Sequence, residues 1–380
     1  MKVASVTVAG ALLLVTMAVN LQVPLYPMYA ERAGYGTGLT AVVFALYIAG
    51  LLPVLILFGG ISDRVGRKPV LLGGLLAAFT ATLLMTLFPT MQVLLLARVL
   101  QGIGVGLSVG TGTAYLAELL TADAAPRAAA FTAFTTSLGF GGGALLTSMA
   151  LWFHPSSTPL SYWLVLSGIA LTLLFALPLQ SRAPLGGALI RLPAYPAGVL
   201  SIGLSIAVAW AVTGLVISVV PTQLAQQGLA AWAGPALFLV NGTGALLQPL
   251  ARRMSAEHSL LTGFVLLPLG YGLLVVGAAW GVLGLMLLGA SVAGAACYGF
   301  TYLGGLAAVT RVSGEQRARA VSGYFLFAYL GFGLPSILVG FLADQVGAIT
   351  ALAAFLPVLM VACGALAYRI LVRVKKPIST

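Results

Sequence analysis

The sequence predicts an all-α membrane protein with twelve transmembrane helices, on three observations. Mean hydropathy is +1.10 and only 7% of the 380 residues are charged, which leaves too little polar side chain to cover a water-soluble globule of this size. A helix crossing the hydrocarbon needs roughly 20 apolar residues, so at about 30 residues per span and short connection the chain accommodates about twelve. When those spans are laid out, 16 of the 18 Lys and Arg fall on one side, the bias that keeps positive loops in the cytoplasm. No room is left within these residues for a soluble domain.

Apolar stretches between charges and turn signals place the spans near residues 5–28, 39–60, 69–88, 91–117, 128–152, 160–180, 195–220, 232–250, 259–279, 281–308, 319–341 and 348–371. The first follows Lys2, outruns a signal-peptide core and has no evident small-residue cleavage site, so it reads as a retained helix. Spans three and four meet at Phe88-Pro89-Thr90, and spans nine and ten at Trp280-Gly281. Both turns are so short that each pair imitates one long helix, but proline in the first and the required length in both argue for hairpins. An even number of spans puts both termini on one side, expected to be the cytoplasmic side of a plasma (inner) membrane. Of the positive residues, only Arg32 lies outside and only Arg98 lies within a span. The net charge of +11 is thus spread over seven cytoplasmic segments as a topology device, and no nucleic-acid partner is expected.

The loop after span two reads Gly59-Gly60-Ile61-Ser62-Asp63-Arg64-Val65-Gly66-Arg67-Lys68. It resembles the loop signature of the major facilitator superfamily of membrane transporters, with Gly59 and Gly66 on the family's glycines and Asp63, Arg64, Arg67 and Lys68 on its charges. The resemblance implies a conformational switch formed by these six residues. It also implies two six-helix bundles related by pseudo-two-fold symmetry. An internal repeat supports that architecture: a shift of 185 residues places Gly59 on Gly244, Asp63 on Gln248 and Arg67-Lys68 on Arg252-Arg253, and a shift of 190 places Arg127 on Arg317. The expected organisation is residues 1–180 as the first bundle, 181–194 as a short cytoplasmic linker and 195–380 as the second bundle.

Span four carries the one mid-membrane charge, in Arg98-Val99-Leu100-Gln101-Gly102-Ile103-Gly104-Val105-Gly106, which resembles the family's second signature. A guanidinium in hydrocarbon costs at least about 2.5 kcal/mol unless it meets a cavity or a partner, so it points inward. The resemblance associates this arginine with helix packing and proton relay as well as with substrate, and the residues leave those roles open. Counted from the outer end, Arg98 and Asn20 both lie near 11 Å deep at about 1.5 Å per residue, so they are expected to meet. With Gln22, Tyr26 and Gln101 they form the substrate-binding candidates of the first half. Those of the second are Trp210, Asn241, Tyr298 and Tyr302, with Thr213 and Ser291 nearby; an ordinary interhelical hydrogen bond is the competing reading for each. Spans one, four, seven and ten border the cavity in the resembled fold.

Span five contains Gly139-Phe140-Gly141-Gly142-Gly143-Ala144, and Gly139 and Gly143 share a face that lets another helix approach closely. Exporters of the superfamily often carry a glycine-rich stretch here with a proline, where this chain has Ala144, so the export signature is partial. In span eleven, Pro335 is expected to kink the helix. None of the seven acidic residues lies at mid-membrane. That favours neutral, zwitterionic or anionic solutes over lipophilic cations, and leaves Glu118, Asp63, Glu31 and Asp344 as ion-coupling candidates.

His154 and His258 fall on opposite faces, Cys297 and Cys363 are isolated, and no nucleotide loop or metal-spaced cluster is present. No enzyme, cofactor or metal is therefore expected. The expected function is secondary active transport of a small organic solute by alternating access, with export favoured and ion coupling by protons or sodium. The alternatives are an importer or facilitator of a sugar or organic anion, and a non-transporting membrane receptor or scaffold. The expected partners are the small-molecule substrate and membrane lipid, and the expected state is a monomer.

Overall fold

The computed structural model describes residues 3–120, 125–180, 186 and 192–375. Lys2, Asp123, Arg182, Arg191, Lys376 and most of the predicted linker 181–194 lie outside the described residues, as do the side chains of Arg127, Arg373 and Lys375. The chain is all-α, with the helices α1 (Val3–Asn20), α2 (Tyr26–Ala33), α3 (Thr37–Leu57), α4 (Ile61–Val65), α5 (Arg67–Leu87), α6 (Met91–Leu119), α7 (Ala125–Phe153), α8 (Leu160–Ala176), α9 (Val199–Ser218), α10 (Val220–Gln226), α11 (Ala233–Ala251), α12 (Ala256–Trp280), α13 (Leu283–Gly294), α14 (Tyr302–Val312), α15 (Arg317–Val346) and α16 (Ala348–Lys375).

Among the described residues, eleven helical segments are long and apolar enough to cross a membrane. The twelfth expected span is α8, which at 17 residues reaches about 26 Å, slightly less than the hydrocarbon thickness. Three predicted spans are not single regular helices. Span one breaks after Asn20 into a 3₁₀ turn, Val23–Leu25, and α2, with Pro24 and Pro27 at the start of the two pieces. Span seven breaks likewise between α9 and α10, where Pro221 opens the second piece. Proline has no N–H to continue the ladder but suits a first helical turn, so each break falls where a new helix can start. Span ten is interrupted by a π-helical turn, Ala295–Thr301, between α13 and α14. Pro335 lies inside a helix assigned without interruption over 30 residues.

The hairpins are capped as their sequences require. The Thr90 hydroxyl accepts from the Val93 N–H to open α6, and Ser255 does the same for His258 to open α12. Gly281 ends α12 in the left-handed region at φ 67°.

Contacts divide the chain into two units. Unit 1 is Met1–Tyr35, Val42–Leu192 and Leu229–Phe238, and unit 2 is Gly36–Ala41, Pro193–Gly228 and Leu239–Thr380. In unit 1, α1 packs on α6, α7 and α8, and α5 on α6 and α8. The Gly139/Gly143 face of α7 lies directly on α1: an added Cβ would come 1.9 Å from Thr16 Oγ1 at Gly139 and 2.1 Å from the Met17 carbonyl oxygen at Gly143. In unit 2, α9 packs on α15 and α14, and α12 on α13 and α16.

Candidate functional site

The loop between α3 and α5 owes its shape to Gly66, whose φ of 92° and ψ of 159° belong to a region that side chains avoid. This conformation ends the short helix α4 and starts α5 with Arg67 turned back toward it. The Arg67 guanidinium lies 2.6 Å from Asp63 and its Nε 3.0 Å from Glu118 Oε1. Its Nη1 also donates to Ser62 Oγ at 2.5 Å. All three charged side chains of this bridge are largely buried, with 13% to 17% exposure. Lys68 donates to the Leu177 carbonyl. Arg64 is exposed. Only Gly66, not Gly59, has a positive φ.

Arg98 is fully buried inside unit 1. The close approach of α3 and α6 places it there: a Cβ at Gly102 would stand 2.0 Å from the Tyr47 carbonyl oxygen, and one at Gly50 would stand 2.1 Å from that of Val99. Arg98 Nε and Nη2 donate to the Phe44 carbonyl at 3.3 and 2.9 Å, and Nη1 donates to the Val19 carbonyl at 2.7 Å and to Gln101 Oε1 at 3.1 Å. The guanidinium carbon lies 5.3 Å from the Phe44 ring centroid and 5.1 Å from that of Tyr47, within cation–π range. Hydrogen bonds to a charged group contribute about 1.5–3 kcal/mol each, enough together to offset the cost of burying it without a carboxylate.

Gln22 donates to Gln101 at 3.0 Å, and Gln101 donates to the Ala18 carbonyl at 2.9 Å. The structure thus brings Arg98, Gln101 and Gln22 together, with Tyr26 buried on the following turn. The expected meeting of Arg98 with Asn20 is corrected. Arg98 reaches the preceding residue's carbonyl, while Asn20 Nδ2 turns to α7 and donates to the Phe140 carbonyl at 2.8 Å. Adjacent helical residues point about 100° apart, so equal depth did not imply a shared face.

In unit 2, Trp210 is the hub of an aromatic cluster. Its ring centroid lies 5.8 Å from Tyr298, 5.2 Å from Tyr329 and 5.9 Å from Phe332, and its buried Nε1 has no hydrogen-bond partner among the described residues. Tyr298 projects from the π-helical turn, an irregularity frequent at functional sites. Asn241 lies buried on α11, which packs tightly on this region: a Cβ at Gly244 would stand 2.4 Å from Tyr298 Cβ, and Thr243 donates to the Ser291 carbonyl at 3.0 Å. Tyr302 pairs instead with Phe325, at 6.1 Å between centroids. Sequence reasoning missed Phe44, Tyr47 and Tyr329, because aromatic residues on apolar helices give no signal of which neighbour they will meet.

Of the remaining candidates, Glu31 is exposed near the end of α2. Asp344 accepts from the Thr37 N–H at 2.6 Å and the Gly38 N–H at 2.9 Å, which caps the start of α3 within unit 2.

The sequence profile of the Major Facilitator Superfamily matches residues 8–247, more than half of the chain. The chain belongs to this superfamily. The superfamily is one of multi-pass helical membrane transporters, and the eleven long apolar helices among the described residues accord with it. Among curated relatives it is 27% identical to Monosaccharide-sensing protein 2 of Arabidopsis thaliana over 163 residues, 43% of this chain and 20% of that one. It is 29% identical to Multidrug resistance protein MdtL of Shewanella oneidensis over 111 residues, 29% of this chain and 28% of that one. The matched stretches thus span well under half the length of either relative. Two solved structures resemble nearly all of the chain in fold. One is the human organic anion transporter MFSD10, with TM-score 0.67, 19% identity and coverage of 96% of this chain and 99% of that one. The other is a variant of the nucleoside transporter NupG, with TM-score 0.70, 15% identity and coverage of 97% and 99%.

Proposed function

We propose that this superfamily member is a secondary active transporter that exports a small organic solute across the plasma membrane by alternating access, coupled to a proton or sodium gradient. Both termini then lie in the cytoplasm, as the distribution of Lys and Arg favours. The observation that carries the reading is Arg67 held by both Asp63 and Glu118. One guanidinium shared by two carboxylates joins the loop to the far end of α6, so that neutralising either carboxylate would change the charge balance of the contact. Export is supported by the likeness to the multidrug resistance protein MdtL and by the Gly139/Gly143 packing of α7 on α1.

The solute is read from the aromatic cluster around Trp210. Ring faces and one unpaired indole N–H suit a planar or partly apolar solute that carries a hydrogen-bond acceptor. Arg98 acts in this reading as a positioning residue, since it donates to backbone carbonyls of α1 and α3 and to Gln101 on α6. A second reading, an organic-anion or sugar carrier without export direction, draws on the buried positive charge of Arg98, which has no acidic partner among the described residues.

The test is counterflow in proteoliposomes loaded in turn with chemically distinct solutes. Selective exchange of one class, lost in Trp210→Ala, supports transport through this cluster. Absence of exchange for every class, with solute binding retained, would instead support a receptor.

A further inference from the structure

Unit 2 contains a second feature, whose lining shares no residue with the aromatic cluster around Trp210. A cavity of about 300 Å³ opens among α9, α12, α14 and α16 at the end where α9 and α12 start and α14 and α16 finish. Its uncharged lining is mostly apolar, including the buried Leu260 and Leu366, with the hydroxyls of Ser201 and Ser205 beside them. The charged residues lining it are Arg311, Arg369 and Glu257.

Two cations face one anion there. Arg311 Nη2 pairs with Glu257 Oε1. Arg369 makes no ion pair or hydrogen bond among the described residues. The wall therefore carries one positive charge in excess, beside the apolar side chains of Leu260, Val312, Leu366 and Ile370. A free inorganic anion would satisfy the charge but gain nothing from Leu260 and Leu366. An amphiphile with an anionic head satisfies both halves of the surface.

We propose that this cavity binds an anionic phospholipid, with its phosphate on Arg369 and the free donors of Arg311 and the first methylenes of an acyl chain against Leu260 and Leu366. Placing the site in the cytoplasmic leaflet rests on the orientation proposed above; the binding itself does not.

Native mass spectrometry of the delipidated full chain in non-ionic detergent tests this, with phosphatidylglycerol, phosphatidylcholine and inorganic phosphate titrated separately and in competition. Phosphatidylglycerol should be retained in preference to phosphatidylcholine, and Arg369→Ala should weaken it about fivefold, as for one interfacial cation. Glu257→Gln should have the opposite sign and tighten the lipid, because it frees Arg311; a cavity of purely structural importance would not respond in that direction. Equal retention of the two lipids, an unchanged affinity in Arg369→Ala, or full displacement by millimolar inorganic phosphate would each overturn the proposal. Because the readout is binding, failure here leaves the transport reading intact, and failure of transport leaves this site intact.

Discussion

Arg67 Nε lies 3.0 Å from Glu118 Oε1, which links the first residue of α5 to the last turn of α6. The same guanidinium is 2.6 Å from Asp63 in the preceding loop. Two of the ion-coupling candidates named from the sequence, Asp63 and Glu118, are thereby joined through one arginine. Largely buried pairs respond to loss of their partner more strongly than a solvated surface pair, because the remaining charge is left in a poorly hydrated setting.

Replacing Asp63 by Asn tests the loop as a switch. The variant should keep its thermal stability within about 1 kcal/mol, since Arg67 keeps Glu118 as its carboxylate partner, yet transport should slow and the cytoplasmic side should become more accessible to a membrane-impermeant thiol reagent at an introduced cysteine. Normal transport at equal expression with unchanged labelling counts against the switch.

Gly66→Ala tests the same loop through its backbone. At φ 92° a side chain costs about 1–3 kcal/mol, so the variant should lose transport with only local disturbance, whereas Gly59→Ala should be milder because Gly59 has no positive φ. Circular dichroism melts and transport rates, compared between the two variants, decide it.

Arg98 should behave as a clamp of α1, α3 and α6. Arg98→Ala leaves the Phe44 and Val19 carbonyls and Gln101 without their charged donor, at about 1–3 kcal/mol for each buried group. It should lower the melting temperature and abolish transport together. Arg98→Lys should rescue poorly, because an ammonium cannot supply the two-nitrogen contact that Nε and Nη2 make with Phe44. An alanine variant with full activity would remove Arg98 from the account.

Trp210 should separate binding from folding. Trp210→Phe keeps an aromatic ring against Tyr298, Tyr329 and Phe332 but removes the indole N–H, so it should retain stability while raising KM for the solute. Trp210→Ala removes ring contacts that contribute about 0.5–1.5 kcal/mol each and should affect both. If both variants change only the melting temperature, the cluster is packing.

The architecture was largely legible because apolar length and positive-residue placement are one-dimensional signals. The Asp63 loop and the Arg98 segment were legible as motifs, and the Gly139/Gly143 face as a close helix contact. The breaks after Asn20 and near Pro221 were not, although Pro24 and Pro221 signalled them, because hydropathy alone merges the two pieces of each span. Pairings such as Asn20 with the Phe140 carbonyl were invisible for another reason: they depend on helix rotation, which depth counting does not fix. The π-helical turn at Ala295–Thr301 has no residue pattern that announces it. The Arg67–Glu118 contact could have been found, since antiparallel neighbours α5 and α6 put the start of one beside the end of the other.

The central claim is coupled transport governed by the Asp63–Arg67–Glu118 bridge, and uphill solute movement in proteoliposomes under an imposed pH gradient, with a parallel sodium gradient, tests it most directly. The unaltered protein should move solute against its gradient with one of the two ions, and Glu118→Gln should lose that accumulation while downhill exchange continues. Accumulation that survives in Glu118→Gln, or none in the unaltered protein under either gradient, would contradict it.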